Sequence, residues 1–325
     1  MSFPWQKMTI DEFAAFERSQ GAKIASIDGV YWRQVRPFFY RPLLATQEYV
    51  PRAVSAPPLA LFGGFQHALA SSEKANSLLN ILMFEDIRNY SIDSLERHKR
   101  KQVRSAARYF VVRPIVDVNE FKEKAFPVYS SFYQRTQYQY KAERRERDYF
   151  CLWAQGLFSF PKVAVVGAYQ EGQLVAVSIS QWVEDTIVYS MVFCAAEALR
   201  LNVTSFLLHL LREAAANSEQ VKRISVGMYK YRGRTGVDEF YFTRGCSLVR
   251  KPAFLSINPA MKVILKSSLP RQYAMLLGRI DDLATESGAN DACCIEEQAA
   301  ALIPTAHSKM GVSENPARGE ACNDN

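Results

Sequence analysis

The sequence contains no long apolar run. Its first thirty residues are interrupted by Lys7, Asp11, Glu12, Glu17, Arg18 and Lys23, and no later stretch approaches the roughly 18 apolar residues that a membrane helix needs. This absence predicts a soluble, cytoplasmic chain with neither leader nor span. Ordered cysteine pairs are missing too. Cys151, Cys194, Cys246, Cys293, Cys294 and Cys322 fall at irregular intervals, with no CxxC and no matching histidine spacing. Neither a zinc site nor a disulfide framework is indicated, and a reducing compartment fits. No Ser-His-Asp order or nucleophile elbow occurs. Gly63-Gly64, within Leu61-Phe62-Gly63-Gly64-Phe65, lacks the spacing of a dinucleotide-binding loop and reads as a turn.

What is present is enough for a substantial core. The 325 residues are 48% hydrophobic and include twenty Phe and sixteen Tyr, enough for one large core or two modest ones. The net charge of +7 leans toward acidic partners such as nucleotides, tRNA or anionic membrane surfaces. Small residues and a proline pair at 53–58 mark one boundary. From about residue 284 the periodicity and the aromatics fade. The expected divisions are an N-terminal section (1–52), a first lobe with a basic and aromatic helical region (59–160), a second lobe (161–283) and a disordered tail (284–325).

Local patterns supply the elements. Two β-prone runs at 24–27 and 30–35 flank Asp28-Gly29, a dipeptide suited to a type I′ hairpin turn. In the basic segment 96–108, Leu95, Val103, Ala106 and Phe110 recur at helical spacing, which predicts an amphipathic helix entering a strand at 109–112. A helix at 119–133 carries Phe121, Ala125, Val128 and Phe132 on one stripe, and Pro127 inside it implies a kink or break. A further helix is expected at 148–157. Strands at 163–169, 174–183 and 187–193 are apolar on both faces, so helices must cover both. One is the helix 202–216, where Val203, Phe206, Leu207, Leu210 and Ala214 form the buried stripe and Asn202 is placed as N-cap. His209 falls on its polar side with Ser205 and Arg212, as an exposed or cleft-lining residue. A strand (223–226), a helix (237–244) and a strand (247–256) follow.

Three meandering strands, a helix, a strand, a short helix and a closing strand resemble the core of the GNAT acyltransferase superfamily. Glu239-Phe240-Tyr241-Phe242-Thr243-Arg244-Gly245-Cys246 is similar to that family's aromatic-Tyr-x-x-x-Gly-aromatic segment, with Cys246 in place of the usual Phe. The Arg/Lys-rich helix leading into a strand, and the Gly236-Val237-Asp238-Glu239-Phe240 approach to the last helix, resemble the bilobed Fem-like branch. The resemblance spans about residues 91–259. It implies an α+β fold with a mixed, mostly antiparallel central sheet flanked by helices, in two GNAT-like lobes. It also implies an acyltransferase that acts on an amine or hydroxyl.

The same resemblance assigns the site residues. Tyr241 becomes the general acid that protonates the leaving group, against the plainer reading of a core tyrosine. Arg200, Leu201, Asn202, Val203, Thr204 and Ser205 form the turn that would hold the phosphates of acetyl-CoA or another acyl-CoA at a helix N-terminus. Met191 and Phe193 lie on the strand beside the donor. That turn has no glycine, unlike the family's Gln/Arg-x-x-Gly-x-Gly/Ala loop, so side chains crowd any backbone cradle. Fem-type relatives lack the loop as well and take acyl groups from aminoacyl-tRNA. Acyl-CoA is therefore the leading donor, with aminoacyl-tRNA as the alternative and a non-catalytic binding module as a third reading. Tyr133, Arg135, Tyr138 and Tyr140, in the aromatic and polar segment 131–140, either shape an acceptor pocket or pack the lobe. The basic face Arg97, Lys99, Arg100, Lys101, Arg104 and Arg108 either binds phosphates or is a solvated surface.

Overall fold

Thr9 and Glu12 set the first helix. The Thr9 hydroxyl accepts from the Glu12 backbone N–H, and the Glu12 carboxylate accepts from the Thr9 N–H at 2.8 Å, a reciprocal cap that starts α1 (Ile10–Ser19) after the short strand β1 (Lys7–Met8). The hairpin forms as its sequence predicts. Asp28 and Gly29 both take positive φ, 48° and 76°, and join β2 (Ile24–Ile27) to β3 (Val30–Arg36). The computed structural model describes residues 3–50, 54–70, 72, 74–136, 141–229 and 236–279. The expected tail, and some of the expected boundary at 53–58, lie outside them.

Four strands follow: β4 (Phe39–Pro42), β5 (Glu48–Tyr49), β6 (Gly64–Leu69) and β7 (Ser77–Phe84). The basic helix is α2 (Arg97–Ala106), and the next elements are β8 (Val111–Pro114), α3 (Val118–Thr136) and α4 (Arg147–Phe158). The meander is β9 (Ala164–Gln170), β10 (Gln173–Val183) and β11 (Thr186–Cys194). Then come α5 (Ala196–Arg200), α6 (Val203–Ala216), β12 (Arg223–Met228), α7 (Gly236–Phe242), β13 (Ser247–Ile257), α8 (Pro259–Ser268) and α9 (Pro270–Leu277).

The strands form one mostly antiparallel sheet in the order β2-β3-β4-β6-β13-β7-β12-β11-β10-β9-β8, with β1 beside β10 and β5 beside β6. β13 lies between β6 and β7, antiparallel to both, although it follows them by more than 160 residues of chain. One face of the second half is covered by α2 and α6, whose core holds Phe84, Val103, Phe110, Leu207, Leu211 and Tyr241. The other is covered by α1, α3 and α4, around Phe121, Tyr129, Phe150, Trp153 and Phe193. Helices thus cover both faces, as the doubly apolar strands require.

Several local expectations are corrected. Helix α3 runs unbroken through Pro127, because Phe121, Ala125, Val128 and Tyr129 bury one stripe on both sides of the proline. That packing outweighs the hydrogen bond the proline removes. The strand expected at 109–112 begins at Val111, since Tyr109 and Phe110 still bond back to the Ala106 carbonyl. Gly63-Gly64 is a close approach of strands rather than a free turn. A Cβ on Gly63 would meet the Phe38 carbonyl oxygen at 2.5 Å, and one on Gly64, at φ 150°, would collide with the Ser256 carbonyl oxygen. Gly64→Ala is therefore expected to cost about 2–4 kcal/mol. A lower urea midpoint at unchanged slope is the corresponding measurement.

Candidate functional site

The sheet opens between β11 and β12. These parallel neighbours pair only at Thr186–Arg223, Ile187–Ile224 and Val188–Ser225. Beyond that point each strand carries a bulge. On β11, Met191 faces Ile179 and Tyr189 faces Ser180, leaving Ser190 as the extra residue. On β12, Ser225 faces Met83 and Gly227 faces Leu82, leaving Val226 extra. Bulges turn strands and free backbone groups from the ladder. The outward N–H and C=O groups of β11 past Val188 accordingly have no partner on β12.

A cleft of about 370 Å³ fills this opening on the face covered by α1, α3 and α4. Tyr189, Ser190 and Met191 line it from one strand and Val226, Gly227 and Met228 from the other. Gly227 has φ 119°, and a side chain there would meet nothing within 4 Å, so the backbone of β12 is open to an occupant. Apolar walls come from Phe13, Phe16, Leu44, Trp153 and Leu157. The size and lining are those of a small-molecule site.

Charge enters this cleft at three side chains that nothing in the local sequence singles out. Glu17, from the last turns of α1, is the one carboxylate among the described residues of the lining, and it bonds Arg33 of β3 at 3.0 Å. Burial raises the Glu17 pKa from its ordinary value, and the attraction of Arg33 opposes the rise without cancelling it. Arg144 is buried, with its guanidinium 4.4 Å above the Trp153 ring centre. These residues converge from positions 17, 33 and 144, so a motif scan does not register them. A polar residue on the inner side of an amphipathic helix, as Glu17 is beside Phe13 and Phe16, is the available signal.

The structure distributes the sequence-predicted residues unevenly. Met191 lines the cleft, and Phe193 is buried just beneath, its ring 5.2 Å from that of Tyr129. Arg135, at the exposed end of α3, donates to the Cys194 carbonyl oxygen at 3.4 Å and so reaches the end of β11. Tyr133 is buried against Tyr129, with centroids 5.0 Å apart. Tyr138 and Tyr140 lie outside the described residues. Tyr241 is buried on the opposite face of the sheet, away from the cleft lining, against Phe84 and Phe240. Burial, then Tyr189, Cys246 and Asp238, push its phenol pKa well up and keep it protonated.

The turn before α6 differs from a phosphate cradle. A short helix, α5, ends at Arg200 just ahead of it, with Arg200 exposed and Leu201 packed against the core. Asn202 stands at the N-cap position in the left-handed conformation, φ 62°, and makes no side-chain cap, contrary to its expected role. Val203 is fully buried and Thr204 half-buried, while the Ser205 hydroxyl accepts from Arg244 at 2.7 Å.

His209 is buried rather than exposed, because α2 packs over the polar side of α6. It shares a 2.9 Å hydrogen bond with the Tyr90 hydroxyl. Arg212 stacks over Tyr90 at 3.7 Å and donates to the Arg244 carbonyl, and burial lowers both arginine pKa values to about 10. Among the described residues there is no group of three or more His, Cys, Asp and Glu placed to hold a metal. None of their helices is long and apolar enough to cross a membrane.

No protein-family model matches the sequence, and no curated protein does. Solved structures do match in shape. The C-terminal domain assigned to a lysylphosphatidylglycerol synthetase of Agrobacterium fabrum superposes with a TM-score of 0.53 at 12% identity, over 82% of this chain and 92% of that one. FemX gives a TM-score of 0.53 at 10% identity, over 79% and 93%. A conserved protein of unknown function from Bacteroides thetaiotaomicron gives 0.51 at 11%, over 76% and 90%. The chain therefore has the α+β, Fem-like GNAT fold that its element order implies.

Proposed function

We propose that this chain is a GNAT-fold acyltransferase whose reaction takes place at the opening between β11 and β12, with the splayed strands supplied by residues 161–283 and the carboxylate by α1. The observation that carries this reading is the pair of bulges at Ser190 and Val226, which splay a parallel strand pair over a cleft containing a lone carboxylate. An amine or hydroxyl acceptor in the cleft attacks the acyl carbonyl carbon. Glu17 takes the acceptor's proton, a backbone N–H freed at the Ser190 bulge receives the developing oxyanion, and the leaving group departs with a proton from solvent or a neighbouring acid. Tyr241 serves in this reading as a packing residue behind β11.

The donor we favour is an aminoacyl-tRNA. Arg200 to Ser205 contain no glycine to bring backbone N–H groups close to a pyrophosphate, and the Ser205 hydroxyl is already engaged by Arg244. Residues 1–279 hold 38 Lys and Arg against 24 Asp and Glu, so the region carrying the fold has a net charge of +14. Arg97, Lys101 and Arg104 on α2, and Arg108 just after it, are exposed. A polyanionic donor suits that surface. The second reading, an acyl-CoA donor, keeps the same cleft and rests on the unpaired outer edge of β11, where pantetheine amides could pair by strand addition.

A gel-shift titration separates the two. With tRNA, binding is expected to fall steeply with salt and to weaken about tenfold or more in an Arg97→Gln, Arg100→Gln, Arg104→Gln variant. Heat on titration with acetyl-CoA or longer acyl-CoAs, with no tRNA shift, would replace the first donor by the second. No response to either class of donor would sink the transferase reading.

A further inference from the structure

We infer that α8, together with the short turn Pro58–Leu61 and the Phe38 and Phe62 rings, forms a docking surface for an anionic lipid bilayer. The inference does not depend on the proposed reaction.

Four side chains that belong in a core are presented to solvent there. Leu61 is 75% exposed and Phe62 63%, on the turn, while Val263 is 66% and Ile264 50% exposed on α8. Contiguous exposed apolar groups of this kind mark an interaction surface, whereas single scattered ones do not. Contiguity follows from the contacts. The Phe62 ring lies 5.9 Å from that of Phe38. The Asn258 side chain donates to the Leu61 carbonyl at 2.8 Å, and its backbone N–H donates to the Gly63 carbonyl. Asn258 is also the N-cap of α8, accepting from Ala260 and Met261. One residue therefore fixes the turn to the helix, and Ile264 lies about 9 Å along the helix from that clamp. No residue of α8 is buried, which is unusual for a helix with Val, Ile, Leu and Met in ten positions.

Charge identifies the occupant. From residue 240 to 279 the sequence has no Asp or Glu and has seven basic residues: Arg244, Arg250, Lys251, Lys262, Lys266, Arg271 and Arg279. Lys262, Lys266 and Arg271 are exposed, and none has a carboxylate partner among the described residues. Residues 29–47, which contribute Phe38, also lack an acid and add the exposed Arg36. A second copy of the chain seated on this patch through a two-fold axis would bring two surfaces of like charge together. An anionic bilayer instead accepts the aliphatic and aromatic groups at the acyl boundary and the lysines at the headgroups.

Flotation of the full-length protein with vesicles tests this. Vesicles of phosphatidylcholine mixed equally with phosphatidylglycerol should carry the protein up, and pure phosphatidylcholine vesicles should not. Leu61→Asp with Phe62→Asp should abolish flotation, and Lys262→Glu with Lys266→Glu should weaken partitioning about tenfold or more. Both pairs are exposed, so circular dichroism should match the parent protein. Flotation unaffected by either pair but lost on Arg97→Gln with Arg104→Gln would place the lipid contact on α2 and overturn the inference. A dimer in light scattering that the patch variants dissociate, with no flotation of the parent, would overturn it in favour of self-association.

Discussion

Replacing Glu17 with glutamine is expected to slow acyl transfer about 10²- to 10³-fold, the usual worth of a positioned general base. The loss should fall on kcat more than on KM, because the carboxylate acts on the proton lost in the transition state. In the parent protein the rate should rise with pH through an apparent pKa raised from that of an ordinary glutamate, since burial disfavours the charged form of Glu17. The glutamine variant should lose that limb of the profile. Stability gives a separate check. A carboxyl whose folded pKa is raised contributes stability below its unfolded pKa and loses it as pH rises through the folded value. Glu17→Gln removes that loss, so the melting temperature at neutral pH should hold or rise, offset to some extent by the broken Arg33 bridge. A variant with full kcat would remove Glu17 from the chemistry and leave it as a partner of Arg33.

Phe150→Ala is expected to be the most destabilising of the substitutions considered, at about 3–5 kcal/mol. Phe150 is fully buried on α4. Its ring lies 5.5 Å from Phe121, 5.3 Å from Tyr129, 5.3 Å from Phe126 and 5.2 Å from Trp153. Tyr129 in turn meets Phe193 of β11 edge-on. A cavity at the centre of this cluster removes ring contacts from α3, α4 and the strand bordering the cleft together. A chain of this size should then melt roughly 10 °C lower. An effect below about 1 kcal/mol would mean that the cluster collapses around the gap.

Local signals carried much of the fold. Asp28-Gly29 specifies positive φ at two positions and hence a hairpin. The stripe of Val203, Phe206 and Leu207 specifies the buried side of α6, and the apolar meander specifies three central strands. Where the expectation fails, a distant neighbour decides. Asn202 does not cap α6 because α5 feeds it in a left-handed conformation. His209 is buried because α2, about a hundred residues earlier, packs on its side of the helix. Pro127 does not break α3 because rings from α4 bury the stripe around it. The site shows the same division. Met191 and the β11 strand were visible in the element order. Glu17, Arg33 and Arg144 were not, because they are assembled by the packing of α1, β3 and the segment before α4.

The position of β13 bears on how the chain is made. Residues 247–257 supply the strand that lies between β6 and β7, so during synthesis the facing edges of those two strands await a partner that leaves the ribosome much later. Unpaired strand edges are the places where nascent chains pair with the wrong neighbour. Expression of a fragment ending before residue 247 should therefore yield aggregate rather than a smaller folded lobe, and late translation arrest should have the same result.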